Sequence, residues 1–168
     1  LGEYVQMVTI CEDMGVQTGP ACNPASIEQF TIPFIKRFTD FVHKNSDMKV
    51  FLHSCGSINP LIPMFIEAGV DILNPVQISA AEMDPQGLKD AYGDDIIFWG
   101  GGVDTQHVLG TQPTKKVEEN VEELVNIFKR DGGYVFNPVH NIMGNVPPED
   151  IVAMYDKAYE NSFYRGAK

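Results

Sequence analysis

The chain has 168 residues, of which 43% are hydrophobic and 21% charged, and its formal net charge at pH 7 is −11. That balance suits one soluble globular domain spanning residues 1–168, and the negative charge excludes the basic footprint that nucleic-acid binding requires. No apolar run approaches the roughly 20 residues of a membrane helix.

Along the chain, strand-like and helix-like stretches alternate. Residues 6–11 (QMVTIC) read as a strand and 25–45 as one long helix. A strand at 48–53 (MKVFLH) precedes a short helix at 60–68, and a strand at 70–74 (VDILN) precedes a helix at 84–92. A strand at 95–99 (DIIFW) is followed by a helix at 113–131, and a strand at 133–137 (GYVFN) by a helix at 148–162. The strands are short, apolar and not alternating, which predicts burial on both faces in a parallel sheet. Pro113-Thr114 opens the fourth helix and Asp131-Gly132-Gly133 closes it, while Pro147-Pro148-Glu149-Asp150 opens the fifth with prolines and acids suited to a helix N-terminus. Repeated βα units mean an α/β fold, either a doubly wound sheet or a (β/α) barrel.

In both architectures chemistry gathers at the C-terminal ends of the strands. Those ends carry, in order, Glu12-Asp13 with Gln17 further on; His53-Ser54-Cys55-Gly56; Asn74-Pro75-Val76-Gln77; Gly100-Gly101-Gly102 with Asp104; and Asn137-Pro138-Val139-His140-Asn141. Every strand ends in polar residues or glycine, so these side chains are expected to share one site. His53 and Cys55 read as metal ligands, and also as a buried histidine and a small thiol at a turn. His140 reads as their third partner, and also as an ordinary loop histidine. Three protein ligands with a fourth position open would suit catalytic zinc. Asp13 and Glu12 read as site groups or as caps of the following loop. The triple glycine lacks the spacing of a phosphate loop or a dinucleotide fingerprint and reads as a tight strand exit close to a ligand.

Other residues read more plainly. Cys11 is expected in the core, Cys22 in a Gly-Pro-rich loop without a role, and His43 on a helix surface; His107 stays open. The acidic pairs Glu118-Glu119 and Glu122-Glu123 have the spacing of a solvated helix face. Three cysteines without framework spacing suggest thiols in a reducing, cytoplasmic setting. The opening LGEYVQMVTI has no secretory signal and no initiator Met, which suggests a piece of a longer protein. No G-x-S-x-G elbow is present, so serine hydrolysis is not expected.

Four segments, EDMGVQTGP, VFLHSCGSINPLIPMFIEAGVDILNPVQ, IIFWGGGVDTQ and GGYVFNPVHNIMGNVPPEDI, together resemble the uroporphyrinogen decarboxylase superfamily, most of all its corrinoid-linked (methylcobamide to coenzyme M) methyltransferase branch. The resemblance implies a (β/α)8 barrel, of which this chain matches the C-terminal half. It implies zinc held by a His-x-Cys pair, matched by His53 and Cys55, and by a later cysteine whose place His140 takes here. In the decarboxylases a histidine at that place binds substrate. On the methyltransferase reading, zinc held by His53, Cys55 and His140 would activate a substrate thiol toward a methyl group on a corrinoid carried by a partner protein. Asp13, Gln77 and Asp104 would then act around the reacting groups, and Asn74, Gly101, Gly102 and His140 would bind substrate.

The competing enzyme reading is decarboxylation of a tetrapyrrole or another acid. The non-enzyme reading is an inactive barrel fragment. A partial barrel leaves open sheet edges, so a homodimer is expected, or else the N-terminal half of the same barrel as partner.

Overall fold

The computed structural model describes residues 2–164. In chain order the elements are β1 (Met7–Cys11), β2 (Gly15–Val16), β3 (Gly19–Pro20), α1 (Pro24–Phe30), α2 (Ile32–Asn45), β4 (Lys49–His53), a short 3-10 turn (Asn59–Leu61), α3 (Ile62–Glu67), β5 (Ile72–Asn74), α4 (Pro85–Tyr92), β6 (Ile97–Trp99), α5 (Thr114–Phe128), β7 (Tyr134–Val135) and α6 (Pro148–Asn161). Five strands form one sheet in the order β1-β4-β5-β6-β7, all pairs parallel. Each new strand joins beside the last, with no reversal of direction across the sheet. A doubly wound sheet reverses at a switch point. The order seen here is that of consecutive barrel staves, and the fold is a partial (β/α)8 barrel.

The expected strands all form, though most are shorter than their apolar runs. The helix read over 25–45 is two helices, broken at Thr31. Pro33 has no amide hydrogen, so it cannot continue the ladder and instead sits in the first turn of α2. Asn23 caps α1 by accepting from the Ala25 amide at 3.0 Å, and Asp84 caps α4 by accepting from Gly87 at 2.7 Å. The β2–β3 hairpin was not apparent in the sequence, because two-residue strands carry no periodicity.

Burial differs between the two faces of the sheet, against the sequence expectation. In β4, Val50 and Leu52 are fully buried, whereas Phe51 and His53 are half-buried. Leu52, Leu73 and Phe98 pack with Phe65, Leu61 and Phe128 of the helix layer in the main core. The opposite face carries Phe51 against Trp99, ring centroids 5.5 Å apart, and the exposed Thr9. Five strands do not close a barrel, so its interior face stays partly open to water. Cys11, expected in the core, is exposed for this reason, at the end of the edge strand β1. Phe30, Phe34, Phe38 and Phe41 form an exposed stripe along α1 and α2 beside the same edge.

The N-terminal ends of the strands hold a different cluster. Asp71, just before β5, accepts from the Val50 amide at 2.8 Å and pairs with His43 Nε2 at 2.8 Å and Lys49 Nζ at 3.0 Å. Among the described residues no helix is long and apolar enough to cross a membrane.

Candidate metal centre

Parallel pairing brings Cys11, His53 and Asn74 into one register across three strands, so their side chains leave the same face of the sheet. His53 Nδ1 lies 2.6 Å from Asn74 Oδ1, and Asn74 Nδ2 donates to the Trp99 carbonyl at 2.8 Å. A carbonyl can only accept, so the Asn74 amide is fixed with its NH2 toward Trp99 and its oxygen toward His53. His53 therefore carries its proton on Nδ1 and leaves a lone pair on Nε2. That is the arrangement seen around metal-binding histidines, whose second nitrogen is held by a neighbouring acceptor.

The free Nε2 faces Cys55. Its distance to Cys55 Sγ is 3.4 Å, and to Asp13 Oδ1 it is 3.7 Å. Asp13 Oδ1 also accepts from the Cys55 amide at 2.9 Å. This amide bond is the largest cause holding the Asp13 carboxyl below its ordinary range, against the opposing effect of burial. Burial pushes the Cys55 thiol up to about 11, and the neighbouring Asp13 charge pushes it the same way. Without a cation the thiol is thus held protonated.

His140 reaches the same spot from the loop after β7. Ligand atoms of His53, Cys55 and His140 all lie within 4.8 Å of one another, and the two imidazole rings meet edge-on with centroids 6.1 Å apart. Tetrahedral zinc with Zn–N about 2.0–2.1 Å and Zn–S about 2.3 Å sets neighbouring ligand atoms about 3.5 Å apart. The 3.4 Å separation of Nε2 and Sγ fits that edge. Two imidazoles and a thiol suit a cation of borderline softness better than magnesium or calcium. Beside the cluster opens a cavity of about 390 Å³ lined by His53, Asn74, Asn137, His140, Asn141 and Tyr155, among others.

The family model for uroporphyrinogen decarboxylase (URO-D) matches residues 2–161. The chain belongs to the uroporphyrinogen decarboxylase family. Uroporphyrinogen decarboxylase, chloroplastic, of Zea mays is 24% identical over 139 residues, covering 81% of this chain and 33% of its own length. A methyltransferase from Methanosarcina mazei has the same fold, with a TM-score of 0.70 and 22% identity over 94% of this chain and 43% of that one. The chain thus spans about a third of the length of the curated relative it matches.

Within this family member the remaining predicted residues scatter. Gln77 lies beside the cluster, its Oε1 accepting from the Gly56 amide at 2.8 Å. Asp104 does not touch the three ligands. It accepts from the Gln106 and His107 amides and pairs with His107 Nδ1 at 3.0 Å, while its own amide donates to Asn120. Its geometry is that of a loop cap. Gly101 and Gly102 are buried against protein: the space a side chain would take is filled at Gly101 by Phe128 and Ile78, and at Gly102 by Phe136 and the Asn137 carbonyl. Packing accounts for both glycines. Glu12 lines a separate apolar groove with Phe30 and Phe34, and Cys22 is exposed. His43 is exposed, as read from the sequence, and pairs there with Asp71.

Proposed function

We propose that this chain carries the zinc site of a methyltransferase that moves a methyl group between a corrinoid and a thiol or similar acceptor. The observation that carries the reading is the convergence of His53, Cys55 and His140 within 4.8 Å, with the His53 Nε2 lone pair turned into the cluster. Zinc bound there would lower the pKa of an incoming thiol, which would then react as thiolate. The protein residues prepare that site. Asn74 holds the tautomer of His53, Asp13 holds the Cys55 amide, and Gln77 holds the next amide at Gly56. Asn137, Asn141 and Tyr155 offer polar groups to a substrate in the adjoining cavity. The corrinoid would come on a separate protein. The fold likeness to a methyltransferase supports the reading.

A second reading, decarboxylation of a tetrapyrrole or another acid, is favoured by the curated relative, itself named a uroporphyrinogen decarboxylase. In that reading His140 binds a carboxylate. The cavity lining includes no lysine or arginine, which a polyacid substrate would call for.

The rest of the barrel belongs to the proposal. Eight strands close a (β/α)8 barrel, and the described residues supply five. Two copies would bring ten, so the N-terminal half of the same barrel suits the open β1 edge and its phenylalanine stripe better than a homodimer does. Static light scattering tests this, since a dimer that buries Phe34 and Phe38 would reverse the preference.

The deciding experiment for the function is metal analysis of protein purified without chelator. Stoichiometric zinc in the parent and its loss in Cys55→Ser are expected; unchanged loading in the variant would sink the reading. Demethylation of methylcobalamin in the presence of a thiol, against decarboxylation of a porphyrinogen, then separates the two enzyme readings.

A further inference from the structure

The turn that carries Cys55 is gripped from outside, amide by amide. Cys55 N–H donates to Asp13 Oδ1 at 2.9 Å, Gly56 N–H to Gln77 Oε1 at 2.8 Å, and Ser57 N–H to the Val16 carbonyl at 2.8 Å. Ser54 Oγ in turn accepts from the Met14 amide at 3.0 Å. Asp13, Met14 and Val16 belong to the short segment that runs into the β2–β3 hairpin. Gly15 and Gly56 meet backbone to backbone: a Cβ on Gly15 would fall 2.5 Å from the Cys55 carbonyl oxygen. The hairpin is thus laid directly on the turn.

Gln77 alone among these partners is a side chain with several rotatable bonds, and it is held in turn. Its Oε1 faces an amide hydrogen, so its NH2 points away and donates to Gln17 Oε1 at 2.8 Å. Gln17 then donates to the Ser79 carbonyl at 2.9 Å and to Gln106 Oε1 at 3.0 Å, and its own carbonyl accepts from Ala81 at 2.9 Å. The Gly56 amide at one end and the Ser79 carbonyl at the other dictate the directions of the Gln77 and Gln17 amides.

We propose that Gln17, at the tip of the hairpin, is a positioning residue for Cys55, acting through Gln77 and the Gly56 amide to aim the thiol before any metal arrives. The proposal deepens the metal-site reading above and rests on it. Gln17 is exposed and bonds no ligand atom, so its replacement leaves the ligand set intact.

The test uses the full chain with Gln17→Ala, and with Thr18→Ala beside it on the hairpin as the control. Thr18 is exposed at the same hairpin tip and its replacement leaves the Gln77–Gln17 bond in place, so it reports any general effect of altering the tip. Two readouts are taken: amide hydrogen exchange at Cys55–Ser57 in the metal-free protein, and affinity for Co²⁺ and Zn²⁺ against a competing chelator, with the cobalt–thiolate absorption recorded. Gln17→Ala is expected to speed exchange at Gly56 about tenfold while the amides of β4 and β5 keep their rates. It is expected to weaken metal binding about tenfold, the lower end for groups that orient ligands, and to shift the cobalt band; Thr18→Ala should leave both unchanged. Unchanged exchange at Gly56 overturns the proposal whether or not metal binds, and so does unchanged affinity where the parent loads metal. A parent that takes up neither ion sinks the metal-site reading instead, and the exchange rates then decide whether Gln17 aims the turn.

Discussion

Asn74 Oδ1 stands 2.6 Å from His53 Nδ1, and the same side chain donates to the Trp99 carbonyl. One buried amide therefore links three neighbouring strands and sets which nitrogen of His53 can bind a cation. Asn74→Ala should cost about 10–100-fold in zinc affinity through the loss of that orientation. It should also cost about 1–3 kcal/mol of stability, because the Trp99 carbonyl and His53 Nδ1 lose their partner. Chelator competition and urea melts measure the two effects separately.

Cys55 gives a pH signature. Its thiol sits near 11 through burial and the Asp13 charge, so the metal-free protein holds it protonated at pH 8. Alkylation by iodoacetamide should be slow there and rise about tenfold for each pH unit, in step with the thiolate fraction, levelling only near that pKa. Zinc added at pH 8 should displace the proton, measured as acid release, and protect Cys55 from alkylation. Peptide mapping separates Cys55 from the exposed Cys11 and Cys22.

Two glycines, Gly100 after β6 and Gly132 after α5, predict a contrast. Gly100 has φ +138°, and a Cβ there would run into the Pro75 carbonyl oxygen. Gly132 has φ +88° with open space around it. Gly132→Ala should cost about 1 kcal/mol, the conformational term alone. Gly100→Ala adds a backbone clash that no rotamer relieves and should cost about 3 kcal/mol or more. Thermal melts of the two variants check the order.

Asp71 supplies an acid-sensitive tie far from the candidate metal centre. Burial raises its pKa, but the Val50 amide, His43 and Lys49 outweigh burial and bring it below the ordinary 3.8. A carboxyl depressed in the folded state contributes stability above its unfolded pKa and loses it as pH falls through the folded value. The contribution should therefore be complete at neutral pH and fade below about pH 4. Asp71→Asn should cost about 2 kcal/mol at pH 7, the scale of hydrogen bonds to a charged group, and the difference from the parent should shrink in acid. Urea melts across the pH range follow it.

Much of this protein was readable from residue order. Apolar runs such as VFLH and IIFW announce strands, prolines and glycines bound the helices, and the polar residues after each strand mark the end of the sheet where the candidate ligands gather. His53 and Cys55 stand two residues apart, so their proximity needs nothing more than a strand entering a turn. These features are local, and local periodicity records them. Periodicity left a barrel and a doubly wound sheet both open; the family resemblance implied the barrel, and the strand order, which no single segment encodes, bears it out. The approach of His140 to His53 depends on five strands pairing in register. The lone pair on Nε2 depends on Asn74 being held by a carbonyl from another strand. Gly101 and Gly102 looked like ligand contacts and proved to be packing sites, because a glycine makes room for whatever lies next to it and its letter does not say what that is. Gln17 read only as one of the polar residues beyond the first strand; its tie to the Cys55 turn was not legible, since its partners Gln77 and Gln106 are distant in sequence and meet it only when the hairpin folds onto that turn.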